Sequence, residues 1–226
     1  MDAQTVQNFF RHFPLLDHLT AEESARLAEA SAYKVARKNS FVYLSDQPSN
    51  FICLLVKGTV KTGLHGADGR EIIKAIQHPF TIFGELGLAG EASRSEFAAS
   101  MNAEVGYIAV QVNDLQRIMA SNFAFAQAVM LYLGERLRKA ERQWESLILK
   151  DVRTRIVEFL KESAGQRGRQ VGYEMLVKHS LTQQDIANLV GASRQTVTAI
   201  MNDLKKSNLI HFNRTSILIR DMDKLN

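Results

Sequence analysis

The pattern of hydrophobic and polar positions changes along the chain and divides it into four regions, each with its own predicted structure. Residues 3–31 carry apolar side chains at helical spacing, and the capping-box signature of Thr20 and Glu23 predicts where a second helix begins. From about residue 33 to residue 112, short apolar runs alternate with turn signals. Strands this short and this evenly spaced predict a small antiparallel β-barrel or jelly roll. The runs include Phe41–Leu44, Phe51–Val56, Thr59–Leu64, Glu71–Ile76, Phe80–Phe83 and Val105–Val110.

Residues 113–149 have the pattern of one continuous helix. Between Met130 and Leu147, apolar residues recur in alternating steps of three and four, which is typical of the a/d seam of a coiled coil. Charged residues occupy the other faces, so we predict that this helix pairs with the same helix of a second copy. The alternative is a helix packed on its own domain. The predicted seam residues are Met130, Leu133, Leu137, Ala140, Trp144 and Leu147.

Residues 150–226 form the fourth region, which is predicted to be rich in helix and to end in a β-ribbon. An amphipathic helix over 152–160 comes first, a polar, glycine-rich loop over 164–172 follows, and two further helices precede the ribbon. We therefore predict an α+β chain with a β-roll over 1–112, a long dimerisation helix over 113–149 and a compact C-terminal domain.

The segment Leu181–Leu204 has the anatomy of a helix-turn-helix. Thr182 is placed to cap a first helix, with Asp185 near its positive end, and Ser193 is placed to cap a second helix. Gly191 lies between the two helices, where the chain must turn sharply and a residue without a Cβ does so at little cost. A motif of this kind presents the N-terminal residues of its second helix to the major groove of DNA.

The outward-facing residues of the second helix are Arg194, Gln195 and Thr198. Arginine can bond both acceptors of guanine, and glutamine both groups on the major-groove edge of adenine, so we predict that these residues read bases. The stretch 210–219 then predicts a hairpin that turns at Asn213 and Arg214, in the position of a wing. The alternative is an ordinary helical hairpin with a polar exposed face.

The distribution of charge agrees with a DNA-binding C-terminal domain. The chain carries 28 Lys and Arg against 24 Asp and Glu, a formal net charge of +4. Residues 151–226 contain 12 basic and 8 acidic residues, so the whole basic surplus lies in the last third of the chain. Such a surplus fits a domain that binds a polyanion.

Several other classes of protein are disfavoured. Cys53 is the only cysteine, which excludes an intrachain disulfide and a multi-cysteine metal or iron–sulfur site. The six histidines show no metal-ligand spacing, and no nucleophile elbow or P-loop is present, so we expect no catalytic residues and no metal. The start of the chain does not resemble a signal peptide, and no segment approaches the roughly 18 apolar residues of a membrane span. We expect a cytoplasmic protein with no membrane partner.

Three blocks resemble the cyclic AMP receptor protein/FNR family of bacterial transcription regulators. They are Phe83–Leu88 with Arg94 and Ser95, then Asp151–Ile156, and the helix-turn-helix itself. The resemblance runs from about residue 15 to about residue 220. It implies an N-terminal β-roll that senses an effector, a long dimerisation helix and a C-terminal winged helix. It also implies a homodimer that binds a palindromic site in double-stranded DNA and works with RNA polymerase.

The resemblance further implies a site for a cyclic nucleotide, cyclic AMP or cyclic GMP, in the β-roll. Glu85 would accept from the ribose 2′-hydroxyl, and Arg94 would pair with the cyclic phosphate. Backbone amides near Gly84–Leu86 and the hydroxyl of Ser95 would complete an anion cradle. The alternative without a ligand is that Gly84–Leu88 is only a turn and that Arg94 is a solvated charge.

The chain departs from the cyclic AMP receptor at two positions on the long helix. Where that relative has a threonine and a serine that contact adenine, this chain has Ala140 and Glu141. The adenine-reading contacts therefore cannot be carried over. Glu141 could instead accept from guanine, which suggests cyclic GMP or a dinucleotide; the alternative is that Glu141 is a solvated helix residue.

The DNA-reading surface also departs from the family pattern. Arg194 matches a base-reading arginine, but Gln195 replaces a glutamate and Ala199 replaces a later arginine. We therefore predict a palindromic site that keeps a guanine for Arg194 and otherwise differs from those of the relatives. The residues that match phosphate-contacting positions are Gln184, Ser193 and Thr196.

Two further readings keep the fold and change the signal. In the first, a haem- or redox-responsive regulator would use Cys53 as a thiol switch, or His78 or Met101 as a haem ligand. In the second, the regulator needs no ligand at all. A single cysteine inside an apolar strand is, however, usually a small core residue.

Overall fold

A computed structural model describes residues 1–225 and divides the chain into two compact units. Unit 1 comprises Met1–Arg70 and Lys74–Arg138, and unit 2 comprises Glu71–Ile73 and Lys139–Asn226. The division falls within the longest helix, which therefore contributes residues to both units. The predicted order of β-roll, long helix and winged helix-turn-helix is confirmed.

The N-terminal segment is helical, as predicted. Helix α1 (Ala3–Phe10) and a short 3-10 helix (Pro14–His18) lead into helix α2 (Ala21–Ala30). The capping box at the start of α2 is present, because Thr20 Oγ1 accepts from the Glu23 amide at 3.2 Å and the Thr20 amide donates to the Glu23 carboxylate at 2.8 Å. These two bonds satisfy amides that have no partner within the helix.

Eight short strands form the β-roll: β1 (Ala32–Arg37), β2 (Phe41–Tyr43), β3 (Phe51–Lys57), β4 (Val60–His65), β5 (Glu71–Gln77), β6 (Ile82–Phe83), β7 (Phe97–Ser100) and β8 (Glu104–Gln111). They make two four-stranded antiparallel sheets, with strand orders β1-β8-β3-β6 and β2-β7-β4-β5. Strands β1 and β7 are not among the predicted runs, because β1 is largely exposed and β7 consists mostly of small residues.

The central strands of the roll are buried on both faces. Along β3, Ile52 and Leu54 pack into a core shared with the helices of unit 1, whereas Cys53 and Leu55 pack into a second core inside the roll. The alternation follows from the two-residue period of a strand.

The predicted continuous helix over 113–149 is interrupted once. Helix α3 (Val112–Ser121) ends and helix α4 (Phe123–Leu149) begins on either side of Asn122. The Asn122 side chain accepts from the Phe125 amide at 3.0 Å and so caps the start of α4. Asn122 also donates to Glu23 at 2.8 Å, a contact that helps to hold the break against the N-terminal helices.

Unit 2 contains the winged helix-turn-helix. A four-stranded sheet with the order β11-β12-β10-β9 packs with three helices. The elements are α5 (Val152–Arg167), β9 (Arg169–Val171), β10 (Glu174–Lys178), α6 (Gln183–Val190), α7 (Arg194–Lys206), β11 (Ile210–Phe212) and β12 (Ser216–Ile219).

The prediction of a polar loop over 164–172 was wrong. Helix α5 continues to Arg167 because Ala164 is buried in the core of the unit, and β9 then pairs with β10 from Arg169 to Val171. Strand β9 is an exposed edge strand, so its polar side chains stay in contact with water and incur no desolvation penalty. The tertiary pairing overrides a local sequence that is typical of a loop.

Candidate effector site and nucleic-acid interface

Both helices of the helix-turn-helix begin at the predicted residues, and the first ends at the predicted glycine. Thr182 and Asp185 form a capping box at the start of α6, with Thr182 Oγ1 3.1 Å from the Asp185 amide and Asp185 Oδ2 2.8 Å from the Thr182 amide. Gly191 ends α6 in the left-handed region at φ +67°. Ser193 Oγ accepts from the Thr196 amide at 3.0 Å and caps α7. The turn is therefore specified by local interactions at both helix ends.

Helix α7 presents a polar face. Val197, Met201 and Leu204 are buried against the rest of unit 2, whereas Arg194 and Gln195 are exposed one turn earlier on the opposite side. Within residues 1–225, neither of these two side chains has a hydrogen bond to another group of the protein. Their donors and acceptors are thus available to a ligand that approaches the start of α7.

Thr198 is held differently from the other two predicted base readers. It is half-buried, and its hydroxyl lies 2.6 Å from Gln183 Oε1 and 2.8 Å from the Arg194 carbonyl. The hydroxyl therefore joins the first turn of α6 to α7. The base-reading role of Thr198 stays a prediction. To bond a base, the hydroxyl would have to give up its bond to Gln183 or to the Arg194 carbonyl.

The three residues predicted to contact phosphate surround the starts of the two helices. Gln184 is exposed and donates to Asn188 at 2.7 Å. The hydroxyls of Ser193 and Thr196 lie 2.8 Å apart at the N-terminus of α7. Free amides and the helix dipole at such an end favour an anion, and the contacts of these three residues with phosphate stay a prediction.

The predicted wing is present as the hairpin of β11 and β12. Asn213 Oδ1 accepts from the amides of Thr215 and Ser216 at 2.8 and 2.9 Å and thereby closes the turn. Arg214 is exposed at the tip. The turn at Asn213 and Arg214 agrees with the prediction, because an asparagine side chain that bonds the backbone two residues ahead is a standard turn device.

Sequence reasoning missed the part played by Arg155 of α5. Its guanidinium donates to the carbonyls of Val190 at 2.8 Å, Lys150 at 2.6 Å and Gly191 at 3.2 Å. The last turn of α6 has carbonyls without partners inside the helix, and a cation there also opposes the negative end of the helix dipole. Arg155 therefore fixes the end of α6 to the start of α5. Its position in the Asp151–Ile156 block was the only available signal.

In the β-roll, Gly84 and Arg94 are in direct contact. Gly84 has φ +73°, and a Cβ at this position would lie 2.7 Å from Arg94 Nη1. Arg94 Nη1 donates to the Gly84 carbonyl at 2.7 Å, and Nη2 donates to the carbonyl of Phe51. Glycine is thus needed both for the backbone conformation and for the space that the guanidinium occupies.

Arg94 is a buried cation with unused donors. It is 1% exposed, and its Cζ lies 4.3 Å from the centroid of the Tyr43 ring and 5.0 Å from that of Phe51. Of the five N–H donors of a guanidinium, Nε is buried without a partner, and no carboxylate among the described residues forms an ion pair with Arg94. A buried charge normally requires an opposite charge, so this position favours an anionic ligand.

Glu85 and Ser95, which also belong to the predicted cyclic-nucleotide site, already have hydrogen-bond partners within the protein. Glu85 is buried and accepts from Arg136 Nε of α4 at 2.9 Å. The amide and hydroxyl of Ser95 both donate to Glu91 Oε1, at 3.0 and 2.7 Å. An anion that used the Ser95 donors would therefore have to displace Glu91. Leu86 is exposed at the start of the 3-10 helix Glu85–Ala89, whose first residues have no side-chain cap.

The predicted dimer seam is an uncovered apolar face of α4. Leu137 is 61% and Trp144 67% exposed, and Met130 and Leu147 are also exposed. Among the other seam residues, Leu133 is half-buried and Ala140 is exposed. Large apolar side chains in such a row normally meet a partner surface.

The structure disfavours the redox-responsive alternative, in which Cys53 would act as a thiol switch. Cys53 is fully buried, and burial raises the pKa of its thiol, which disfavours the thiolate that redox chemistry requires.

No cluster of three or more His, Cys, Asp or Glu side chains within residues 1–225 is arranged to hold a metal ion. None of the helices in the described part of the chain is long and apolar enough to cross a membrane. Glu141 is exposed on the part of α4 that belongs to unit 2.

Two family profiles match the chain. The profile of the cyclic nucleotide-binding domain matches residues 33–122, and that of the Crp-like helix-turn-helix domain matches residues 154–226. The first match extends ten residues beyond the predicted β-roll into the predicted long helix, and the second lies within the predicted C-terminal domain.

Curated relatives and solved structures agree with these matches. A protein of Mycobacterium tuberculosis named as a CRP-like cAMP-activated global transcriptional regulator is 32% identical over 184 residues, which is 81% of this chain and 82% of the relative. The cAMP-activated global transcriptional regulator Vfr of Pseudomonas aeruginosa is 26% identical over 215 residues, with 92% and 96% of the two chains covered. The structure of FixK2 from Bradyrhizobium japonicum aligns with a TM-score of 0.78 at 22% identity, covering 86% of this chain and 95% of that one.

Proposed function

The chain belongs to the CRP/FNR family of transcription regulators, a family of DNA-binding proteins that are not enzymes, and we propose that it binds a palindromic DNA site as a homodimer controlled by a cyclic nucleotide in the β-roll. The observation that carries the DNA-binding part is the exposed pair Arg194 and Gln195 at the start of α7. The observation that carries the ligand-binding part is the buried guanidinium of Arg94, which has unused donors and no carboxylate partner.

DNA recognition would combine docking and base reading. Ser193 and Thr196 would contact phosphates at the N-terminus of α7, and Arg194 and Gln195 would extend into the major groove. The basic surplus of residues 151–226 supports nonspecific attraction to the duplex. RNA polymerase is the further partner that we expect for a regulator of this family.

The test of DNA recognition is the selection of binding sites from random duplexes at fixed salt. Arg194→Ala is expected to weaken binding by about 1–3 kcal/mol and to abolish the preference for guanine at one position of each half-site. Arg169→Ala is the matched control, because it removes the same charge from β9, at the opposite edge of the sheet from the wing. A variant of Arg194 that selects the same sequences as the unaltered protein would refute the assignment.

The uncovered seam of α4 supports a homodimer. Two copies that pair along Leu137 and Trp144 would bury these side chains and present two recognition helices to successive major grooves, about one DNA turn apart. Leu137→Glu is expected to yield a monomer by light scattering. Leu131→Glu is the control, because Leu131 is similarly exposed at 64% but lies outside the predicted seam. An unaltered protein that remains monomeric at micromolar concentration would exclude this arrangement.

For the effector, the phosphate of a cyclic nucleotide would satisfy the unused donors of Arg94, and the ribose hydroxyl would bond Glu85. The mycobacterial relative is named as cAMP-activated, which supports a ligand of this class. Because Arg136 of α4 already holds Glu85 at 2.9 Å, a ligand that bonds Glu85 changes a contact of the long helix. Such a ligand would alter DNA binding only to the extent that its affinity differs between two arrangements of the protein.

Calorimetry with cyclic AMP and cyclic GMP tests the effector. Ser95→Ala is expected to weaken nucleotide binding about 10- to 100-fold through the loss of one hydrogen bond to the charged phosphate, and Arg94→Gln to weaken it more. Thermal unfolding of both variants separates the loss of a contact from the loss of the fold. The absence of heat from both nucleotides would reject this part of the proposal.

A further inference from the structure

A second group of polar side chains lies on the inner face of the β-roll. Strand β4 pairs with β7 so that Thr62 is opposite Ala98. Ala98 belongs to the core inside the roll, and Glu96 lies two residues before it, so Glu96 and Thr62 share this inner side of the sheet. Lys74 of β5 reaches the same place, with its Nζ 3.2 Å from Glu96 Oε2.

Thr62 and most of the Glu96 side chain are buried where a protein core is normally apolar, whereas Lys74 reaches them from a partly exposed position. Thr62 is fully buried, and its hydroxyl has no hydrogen-bond partner in the part of the chain that the structure describes. Only 14% of the Glu96 side chain is exposed. Burial raises the pKa of this carboxyl above its usual value, although Lys74 acts in the opposite direction. The buried Thr62 hydroxyl, which lacks a partner among residues 1–225, suggests that a ligand completes this polar group.

Tyr43 connects this group to the anion site. The guanidinium of Arg94 lies 4.3 Å from the centroid of the Tyr43 ring, and the Tyr43 hydroxyl donates to Glu96 Oε1 at 3.3 Å. The Tyr43 side chain therefore has the Arg94 guanidinium against the face of its ring and the Glu96 carboxylate at its hydroxyl. A ligand with its phosphate at Arg94 would extend along Tyr43 toward Glu96 and Lys74.

We propose that Glu96 and Lys74 select a guanine base, an inference that rests on the proposed binding of a cyclic nucleotide. Guanine presents two neighbouring donors, N1–H and the 2-amino group, and one acceptor, O6. The Glu96 carboxylate can accept from both donors, and the Lys74 ammonium can donate to O6. Adenine offers only its 6-amino group as a donor and would turn the lone pair of N1 toward a carboxylate. Glu96 takes the role that the sequence suggested for Glu141, because Glu96 is enclosed whereas Glu141 is exposed.

The experiment is calorimetry of the full chain with three cyclic nucleotides. Cyclic GMP is expected to bind at least tenfold more tightly than cyclic AMP. Cyclic inosine monophosphate, which lacks the 2-amino group, is expected to lie between them. Glu96→Gln is expected to weaken cyclic GMP at least tenfold and to change cyclic AMP less than threefold. The matched control is Glu104→Gln, because Glu104 also pairs with a lysine, Lys57, at 2.8 Å but on the exposed surface.

The outcomes separate this inference from the proposed function. Equal or tighter binding of cyclic AMP, or a Glu96→Gln variant with an unchanged ratio of affinities, would overturn the selection of guanine and leave nucleotide binding intact. No binding of any of the three would overturn both. Lys74→Met gives a second test if Glu96→Gln does not fold, and it is expected to reduce the preference for cyclic GMP over cyclic AMP.

Discussion

The turn of the helix-turn-helix offers a sharp test of how sequence specifies this domain. Gly191 ends α6 at φ +67°. An alanine in this left-handed conformation costs about 1–2 kcal/mol, because its Cβ approaches the neighbouring carbonyl. The new Cβ would also lie 2.8 Å from Leu147 Cδ2, but the end of a flexible side chain can move away. We expect Gly191→Ala to lower the free energy of unfolding of unit 2 by about 1–2 kcal/mol, and Gly191→Asn to lower it less.

The matched control makes the same chemical change in the same unit. Gly165 lies inside α5, and a Cβ there would meet nothing within 4 Å. Glycine inside a helix is less favourable than alanine by about 0.5–1 kcal/mol. Gly165→Ala is therefore expected to stabilise unit 2, so two identical substitutions should have effects of opposite sign.

Amide hydrogen exchange of the full chain, read by mass spectrometry, measures both effects locally. Peptides from α6 and α7 should exchange about 5- to 30-fold faster in Gly191→Ala, if exchange follows opening of the unit. They should exchange no faster in Gly165→Ala. If Gly191→Ala left the exchange of α6 unchanged or slowed it, the argument from backbone conformation would fail.

Three further predictions concern unit 2. Thr182→Ala removes the cap of α6 and should lower stability by about 1 kcal/mol in urea unfolding, with Thr182→Ser nearly neutral; equal effects of both would refute the capping role. Arg155→Lys keeps the charge but loses the planar guanidinium that bonds three carbonyls. The melting temperature should therefore fall and DNA binding should weaken; an unchanged melting temperature would show that the charge alone stabilises this contact. Burial lowers the pKa of His179, so the folded state prefers the neutral imidazole. The stability that this provides is fully present above about pH 6.5, the unfolded value, and is lost as the pH falls toward the depressed pKa. Unfolding measured between pH 7.5 and pH 5 should show this loss, and His179→Gln should flatten it; an unchanged slope would assign the loss to other groups.

The sequence by itself determined the features that depend on interactions a few residues apart. The capping boxes at Thr20 and Thr182, the turn at Gly191 and the wing turn at Asn213 all bond within three or four positions. The period of apolar residues likewise distinguished the strands of the roll from the long helix. These signals placed Arg194 and Gln195 at the start of a recognition helix, because a helix fixes which residues share a face.

Only the tertiary structure decided which distant residues meet in the β-roll. Arg136 reaches Glu85 across 51 positions, and Tyr43 reaches Glu96 across 53. Nothing local requires either contact, since each depends on how the strands pair and on which side of a sheet a residue faces. Strand pairing also explains why a loop was wrongly predicted over 164–172, because β9 becomes a strand only through its pairing with β10. Pattern and spacing specify elements and their ends, whereas a buried polar site is specified by the packing of those elements against one another.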